Sequence, residues 1–182
     1  MRRAPVLLLL LFVAGCGNDR TLPPDVDTPQ APVGERTVRI ADARLQFEAP
    51  ENWADLPPAP PRVGGVRSGR ATVAIWRYPR AETLPRTAKE LRRVRDLLVA
   101  RIQSRDTTFE ERSTRVLRLD DVPAIEVVGR QTIGGFAVTV RSTHLFYREA
   151  EVVIDAYAPP GAFERTDREV FLPIQRSLRI AT

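Results

Sequence analysis

Between residues 124 and 158 the chain carries three β-period runs, joined by turns so short that only antiparallel neighbours can form. The runs cover 124–132, 136–147 and 151–158, and the turns are Ile133-Gly134-Gly135 and Arg148-Glu149-Ala150. Gly-Gly supplies the positive φ angles that a tight hairpin needs. The expectation is a three-strand antiparallel meander, whose apolar faces must be buried against other layers of the same chain.

Only two segments offer helical period to cover those faces. In residues 86–105, Leu91, Val94, Leu98 and Ile102 recur at helical spacing, with Arg92, Arg93, Asp96 and Gln103 on the far side. Thr87 is placed to cap this helix, and Glu90 three residues later completes a capping box. Its arginine-rich outer side is expected to be solvated. A second helix is predicted over 166–177, with Phe163, Val170, Phe171, Ile174 and Leu178 as its apolar set and a kink at Pro173. Pro159-Pro160-Gly161 is expected to break the chain before it.

Ahead of the meander, 37–40, 44–49, 71–78 and 109–119 read as strands, the last of them turned by Asp120-Asp121-Val122-Pro123. Pro57, Pro58, Pro60, Pro61 and Gly64-Gly65 mark 55–70 as a loop unable to join a ladder. The predicted fold class is therefore α+β, an antiparallel β-sheet flanked by helices, occupying residues 37–182.

The start of the chain has a different character. Met1-Arg2-Arg3 is basic, Pro5 through Val13 is apolar with five consecutive leucines, and Val13-Ala14-Gly15 leads into Cys16. That order is a secretion signal, and the run stops short of the roughly 20 apolar residues a membrane span requires. Its ending resembles the lipobox of bacterial lipoproteins. The resemblance implies cleavage between Gly15 and Cys16, with diacylglycerol on the Cys16 thiol and an acylated new amino terminus. Residues 1–15 are then the signal peptide and 16–36 a lipidated, proline-rich tether carrying Pro23, Pro24, Pro29 and Pro32. As a flexible coil the tether would average roughly 25 Å end to end. Gly17, where an aspartate would resemble an inner-membrane retention signal, implies the outer membrane facing the periplasm if the host has two membranes. Otherwise the implied place is the outer face of the plasma membrane.

Cys16 is the only cysteine. Once it carries lipid, no thiol remains for a disulfide, a metal or a nucleophile. The formal charge of +5 falls by two when Arg2 and Arg3 leave, and Lys89 is the one lysine among 28 basic residues. Those arginines are scattered and interleaved with acids rather than gathered on one face, which argues against nucleic acid as a partner.

Chemistry-bearing residues are few. His144 is the only histidine and shares a strand face with Phe136, Val138, Val140 and Phe146. Ser142, roughly 7 Å along the strand, reads as too far for a direct hydrogen bond, and Asp155 reads as facing solvent, although it could approach His144 across the ladder. Glu110-Glu111 and Asp120-Asp121 lack the spacing of an oxygen-ligand loop, and no glycine-rich phosphate loop occurs. No catalytic, cofactor or metal residues are assigned and no enzyme is expected. The candidate binding groove is instead lined by Trp53 and Trp76 with the proline-rich loop between them.

Several short motifs belong together: Phe47-Glu48-Ala49-Pro50-Glu51-Asn52-Trp53, the long helix after the Trp76 strand, Leu119-Asp120-Asp121-Val122-Pro123-Ala124, and the ending Ser177-Leu178-Arg179-Ile180. With this order of elements, residues 37–182 resemble the PsbP-like family, which includes photosystem-associated lumenal proteins, Mog-type Ran-binding proteins and many small bacterial lipoproteins. The resemblance implies a sheet sandwiched by helices and a role in binding or stabilising other proteins. The expected function is a membrane-anchored, non-catalytic binding or accessory lipoprotein of the cell envelope, supporting a protein complex. The alternative is a small-molecule or lipid-binding lipoprotein feeding a transporter or envelope enzyme. Its partners would be the membrane, through the lipid anchor, and envelope proteins.

Overall fold

A computed structural model describes residues 27–181; Gly15, Cys16 and the leader lie outside them. Ten strands and three α-helices follow one another along the described residues. Strands β1 (Arg36–Ile40), β2 (Leu45–Ala49) and β10 (Arg179–Ile180) form a small antiparallel sheet in the order β1-β2-β10. The main sheet has seven strands: β3 (Ala54–Asp55), β4 (Arg62–Ser68), β5 (Ala71–Pro79), β6 (Glu110–Leu119), β7 (Val122–Ile133), β8 (Phe136–Tyr147) and β9 (Ala150–Ala158). Their order across the sheet is β3-β4-β5-β9-β8-β7-β6, and every pairing is antiparallel. The expected meander is its centre. Both of its turns use positive φ, at Gly134 and Gly135 and, without glycine, at Arg148 and Glu149.

Helix α1 (Ala88–Arg105) begins as its sequence dictates. The Thr87 hydroxyl accepts from the Glu90 N–H at 3.2 Å, and the Glu90 carboxylate accepts from the Thr87 N–H at 2.9 Å. Two of the four orphan donors of the first turn are so satisfied. Leu91 is buried and Val94, Leu98 and Ile102 are half-buried, meeting Phe109, Ile125, Val127 and Val140 on one face of the main sheet.

Alternation along each strand sends the other set of side chains to the opposite face. Val73, Ile75, Leu145, Val152 and Ile154 there form the larger core with Phe47 of the small sheet and Phe163, Phe171 and Ile174 of the C-terminal helices. The chain is thus a sheet between two covers, α1 on one side and the small sheet with the C-terminal helices on the other. The Tyr147 hydroxyl joins the sheets by donating to Ala43 O at 2.6 Å, and burial pushes its pKa up to about 12.

Two expectations need correction. Residues 62–68, inside the expected loop, are the strand β4. Gly64 and Gly65 take φ of +151° and +150° beside a register shift, extended backbone open to glycine alone. A Cβ on Gly65 would stand 2.0 Å from Val73 O; the glycines mark a close-packed bulge rather than a turn. At the C-terminus, helix begins at α2 (Pro160–Thr166), six residues before the expected start. Pro160 occupies a first-turn position, where its missing N–H costs nothing. Beyond α2 the chain makes a wide π-turn over Asp167–Phe171, where Leu172 N–H donates to Asp167 O, leading into α3 (Leu172–Ser177) with Pro173 in its first turn.

Residues 27–35 hold no helix or strand, yet they lie against the domain. Gln30 N–H donates to Ser68 Oγ at 3.0 Å, Val33 N–H donates to Asn52 Oδ1 at 3.0 Å, and Pro29 is buried.

Candidate functional site

The two tryptophans expected to share a groove are not brought together. Trp53 is 1 % exposed, packed edge-on against Phe171 with ring centroids 6.2 Å apart in the larger core. Trp76 follows Ile75 on β5, so it points to the opposite face of the sheet, half-buried with Arg62 lying over its ring. Strand alternation separates them.

What the fold brings together is a row of polar groups on the α1 face. The two-residue turn at 148–149 sets Tyr147 against Ala150, and the register then places Ser142 opposite Asp155 and Phe146 opposite Glu151. The expected separation of Ser142 and His144 is wrong: the imidazole leans back along β8, and Nε2 lies 3.1 Å from Ser142 Oγ. Asp155 faces the sheet's covered side rather than solvent, accepting from Ser142 Oγ–H at 2.6 Å. His144 Nδ1 meets Glu151 Oε1 at 2.6 Å, and Arg80 donates to Glu151 Oε2 from the strand end. A continuous chain therefore runs Arg80, Glu151, His144, Ser142, Asp155.

The electrostatics of this chain differ at its two ends. Burial would raise the Glu151 carboxyl, but the His144 hydrogen bond and charge, followed by those of Arg80, outweigh it and hold the pKa at about 2. Asp155 has no cation bonded to it, and burial pushes its pKa up. The Trp76 indole lies close enough to Asp155 to offset part of that rise, though its buried Nε1–H closes no hydrogen bond of ordinary geometry.

Counting hydrogens shows what the chain can do. Serine has one hydroxyl hydrogen, and an ionised carboxylate only accepts. If Ser142 donates to Asp155, His144 must donate from both ring nitrogens, to Ser142 and to Glu151. If Asp155 carries the proton, it donates to Ser142, which donates to Nε2. Both arrangements satisfy every bond. One proton is therefore held in common by Asp155 and His144 through the Ser142 hydroxyl.

These groups floor a cleft of about 550 Å³. Helix α1 packs on β6 and β7, so the face above β8, β9 and β5 stays open on one side. Leu97, 51 % exposed, and Leu98 form an apolar wall, while Arg101 and Arg105, one turn apart on α1, stand exposed beside it. Polar groups fixed below apolar walls are the usual composition of a small-molecule site. Among the described residues no three His, Cys, Asp or Glu side chains gather as a metal site.

A second buried charge cluster lies on the opposite face and is structural. Glu126 accepts from Arg115 at 2.7 Å, Arg141 at 2.8 Å and Gln175 at 2.7 Å; Arg141 also grips Asp167 through two 2.7 Å bonds. This fastens the π-turn and α3 to β7 and β8.

Sequence reasoning met Ser142, His144 and Asp155 but missed Glu151 and Arg80. The signal was the short turn at 148–149. Pairing Tyr147 with Ala150 and counting outward puts all four strand residues on one face.

No family model matches the sequence, and no curated protein is similar to it. Solved structures are similar in fold. Cyanobacterial PsbP (CyanoP) from Synechocystis sp. PCC 6803 superposes with a TM-score of 0.61 at 10 % identity, over 82 % of this chain and 94 % of that one. LpqN of Mycobacterium tuberculosis, described as involved in cell envelope biogenesis, gives 0.55 at 15 % identity over 82 % and 91 %. The seven-stranded sheet between α1 and the C-terminal helices is thus a PsbP-like α+β fold.

Proposed function

We propose that this chain is a lipid-anchored, non-catalytic binding protein of the bacterial cell envelope, and that its ligand enters the cleft between α1 and the main sheet. The cleft carries the reading. It is preformed, open on one side, apolar on its helix wall and polar on its floor, and no side chain among the described residues fills it. That favours the small-molecule form of an accessory role over one resting on protein contacts alone. The leader ending in Gly15-Cys16 supports placement on a membrane, and the envelope role described for LpqN, which shares the fold, is consistent with it.

Catalysis is disfavoured on chemical grounds. Ser142, His144 and Glu151 stand in the order of a nucleophile, base and orienting acid. Ser142, however, sits in the middle of β8, which is paired on both sides from Thr139 to Leu145. Its neighbouring backbone N–H groups are committed to the ladder, leaving none to stabilise an oxyanion. Its hydroxyl also serves Asp155.

The ligand such a cleft fits has an apolar body for Leu97 and Leu98 and a polar group for the floor. Thermal unfolding of the protein reconstituted in nanodiscs, against fatty acids, alkyl glycosides and water-soluble metabolites, tests this. A ligand at 100 times its Kd should add about 2.7 kcal/mol of stability. Leu98→Trp should fill the cleft and remove that gain. A flat response across the panel would return the reading to a protein-binding role.

A further inference from the structure

The hairpin joining β7 to β8 ends in Ile133-Gly134-Gly135-Phe136. Nothing stands within 4 Å of where a Cβ of either glycine would be. Beside them Phe136 is 58 % and Ile133 38 % exposed, two of the five large apolar side chains left exposed among the described residues. Polar residues would make the same turn without presenting apolar surface to water, and apolar side chains gathered on a projecting tip mark a contact surface.

The position of the tip indicates what it meets. Thr72 pairs with Tyr157, which pairs with Val140, so the turn at Gly69-Arg70 and the β7–β8 tip lie at the same end of the sheet. The Arg70 guanidinium lies over the Phe136 ring, 3.7 Å from its centroid. Arg70 Nη1 also donates to Asp27 Oδ1 at 2.5 Å, and Gln30 is bonded to Ser68 just before that turn. The chain coming from the amino terminus therefore joins the domain beside this tip. Cys16 precedes Asp27 by eleven residues, which reach at most about 40 Å when fully extended. An anchor at Cys16 keeps this end of the sheet within that distance of the bilayer.

The geometry points to the Ile133–Phe136 tip as a second membrane contact, seated in the headgroup and acyl boundary of the bilayer that holds Cys16. The inference rests on the lipid-anchor reading. An aromatic and an aliphatic side chain side by side on a projecting tip suit that boundary, where apolar groups enter. The occupant is a phospholipid surface. Its effect is orientation, since the anchor already supplies attachment, and a two-point contact would fix how the cleft is presented.

The test uses the lipidated chain reconstituted in vesicles of phosphatidylcholine with one third phosphatidylglycerol. Thr132, exposed beside the tip, is changed to Cys and labelled with bimane; the acylated Cys16 does not react. An Asp42→Cys label at the far end of the sheet is the control. The Thr132 label should be quenched by nitroxide on the lipid acyl chains and be at least threefold better protected from aqueous iodide than the Asp42 label. Ile133→Ser with Phe136→Ser should abolish that difference while the protein still floats with the vesicles. If it floats but the two labels quench alike, the tip proposal is wrong and the anchor reading stands. A chain that fails to float overturns both.

Discussion

Glu151 is a buried carboxyl kept ionised by its neighbours, and that makes it the most sensitive single group on the cleft floor. Its pKa of about 2 lies below the ordinary 4.5. A carboxyl depressed on folding contributes stability above its unfolded pKa, and that contribution is lost as pH falls through the folded value. The window is therefore roughly pH 4.5 down to 2. Glu151→Gln should destabilise the protein at pH 7 by on the order of 3 kcal/mol. The difference from the parent should shrink across that window, as read by urea unfolding at a series of pH values. A gap independent of pH would mean that the amide fails for reasons of packing. Asp155 behaves oppositely: its pKa is raised, so its contribution is greatest in acid and falls as pH rises through the folded value. His144 was legible as a histidine on an apolar face, and Asp155 as a residue able to approach it across the ladder; Glu151 was not legible, because it lies seven residues along the chain and reaches His144 only through the strand register.

At the level of elements, α1 was the most legible part of the chain, since its start and its apolar stripe are local properties. Its capping box can be tested directly. Thr87→Ala should cost about 1 kcal/mol in chemical denaturation, with Thr87→Ser nearly neutral, and should leave the cleft floor unaltered. β4 was the least legible. Proline and glycine are turn residues in isolation, and nothing in residues 62–68 announces that Gly65 lets its backbone approach Val73 O. The C-terminal helices fall between these cases. Their apolar set was readable, but the π-turn is held by the grip of Arg141 on Asp167, 26 residues apart.

For the molecule as a whole, the asymmetry of the two covers decides where anything can bind. The small sheet and C-terminal helices bury their face with Trp53, Phe47 and Phe171, whereas α1 alone leaves part of the other face open. Placement belongs to this scale too. Cys16→Ser should move the protein from membranes to the soluble fraction, as cell fractionation with a carbonate wash would show, and retention in the pellet would contradict the anchor. The α+β class, the meander and α1 follow from the sequence by itself, because hydrophobic period and short turns act between near neighbours. So does the expectation of a leader ending at Cys16. Only the tertiary structure decided that Trp53 and Trp76 face opposite ways, that Gly64-Gly65 lies inside a strand, and that Ser142, His144, Glu151 and Asp155 share one proton network. Those outcomes depend on pairing register and on which face each layer covers, and contacts between distant residues set both.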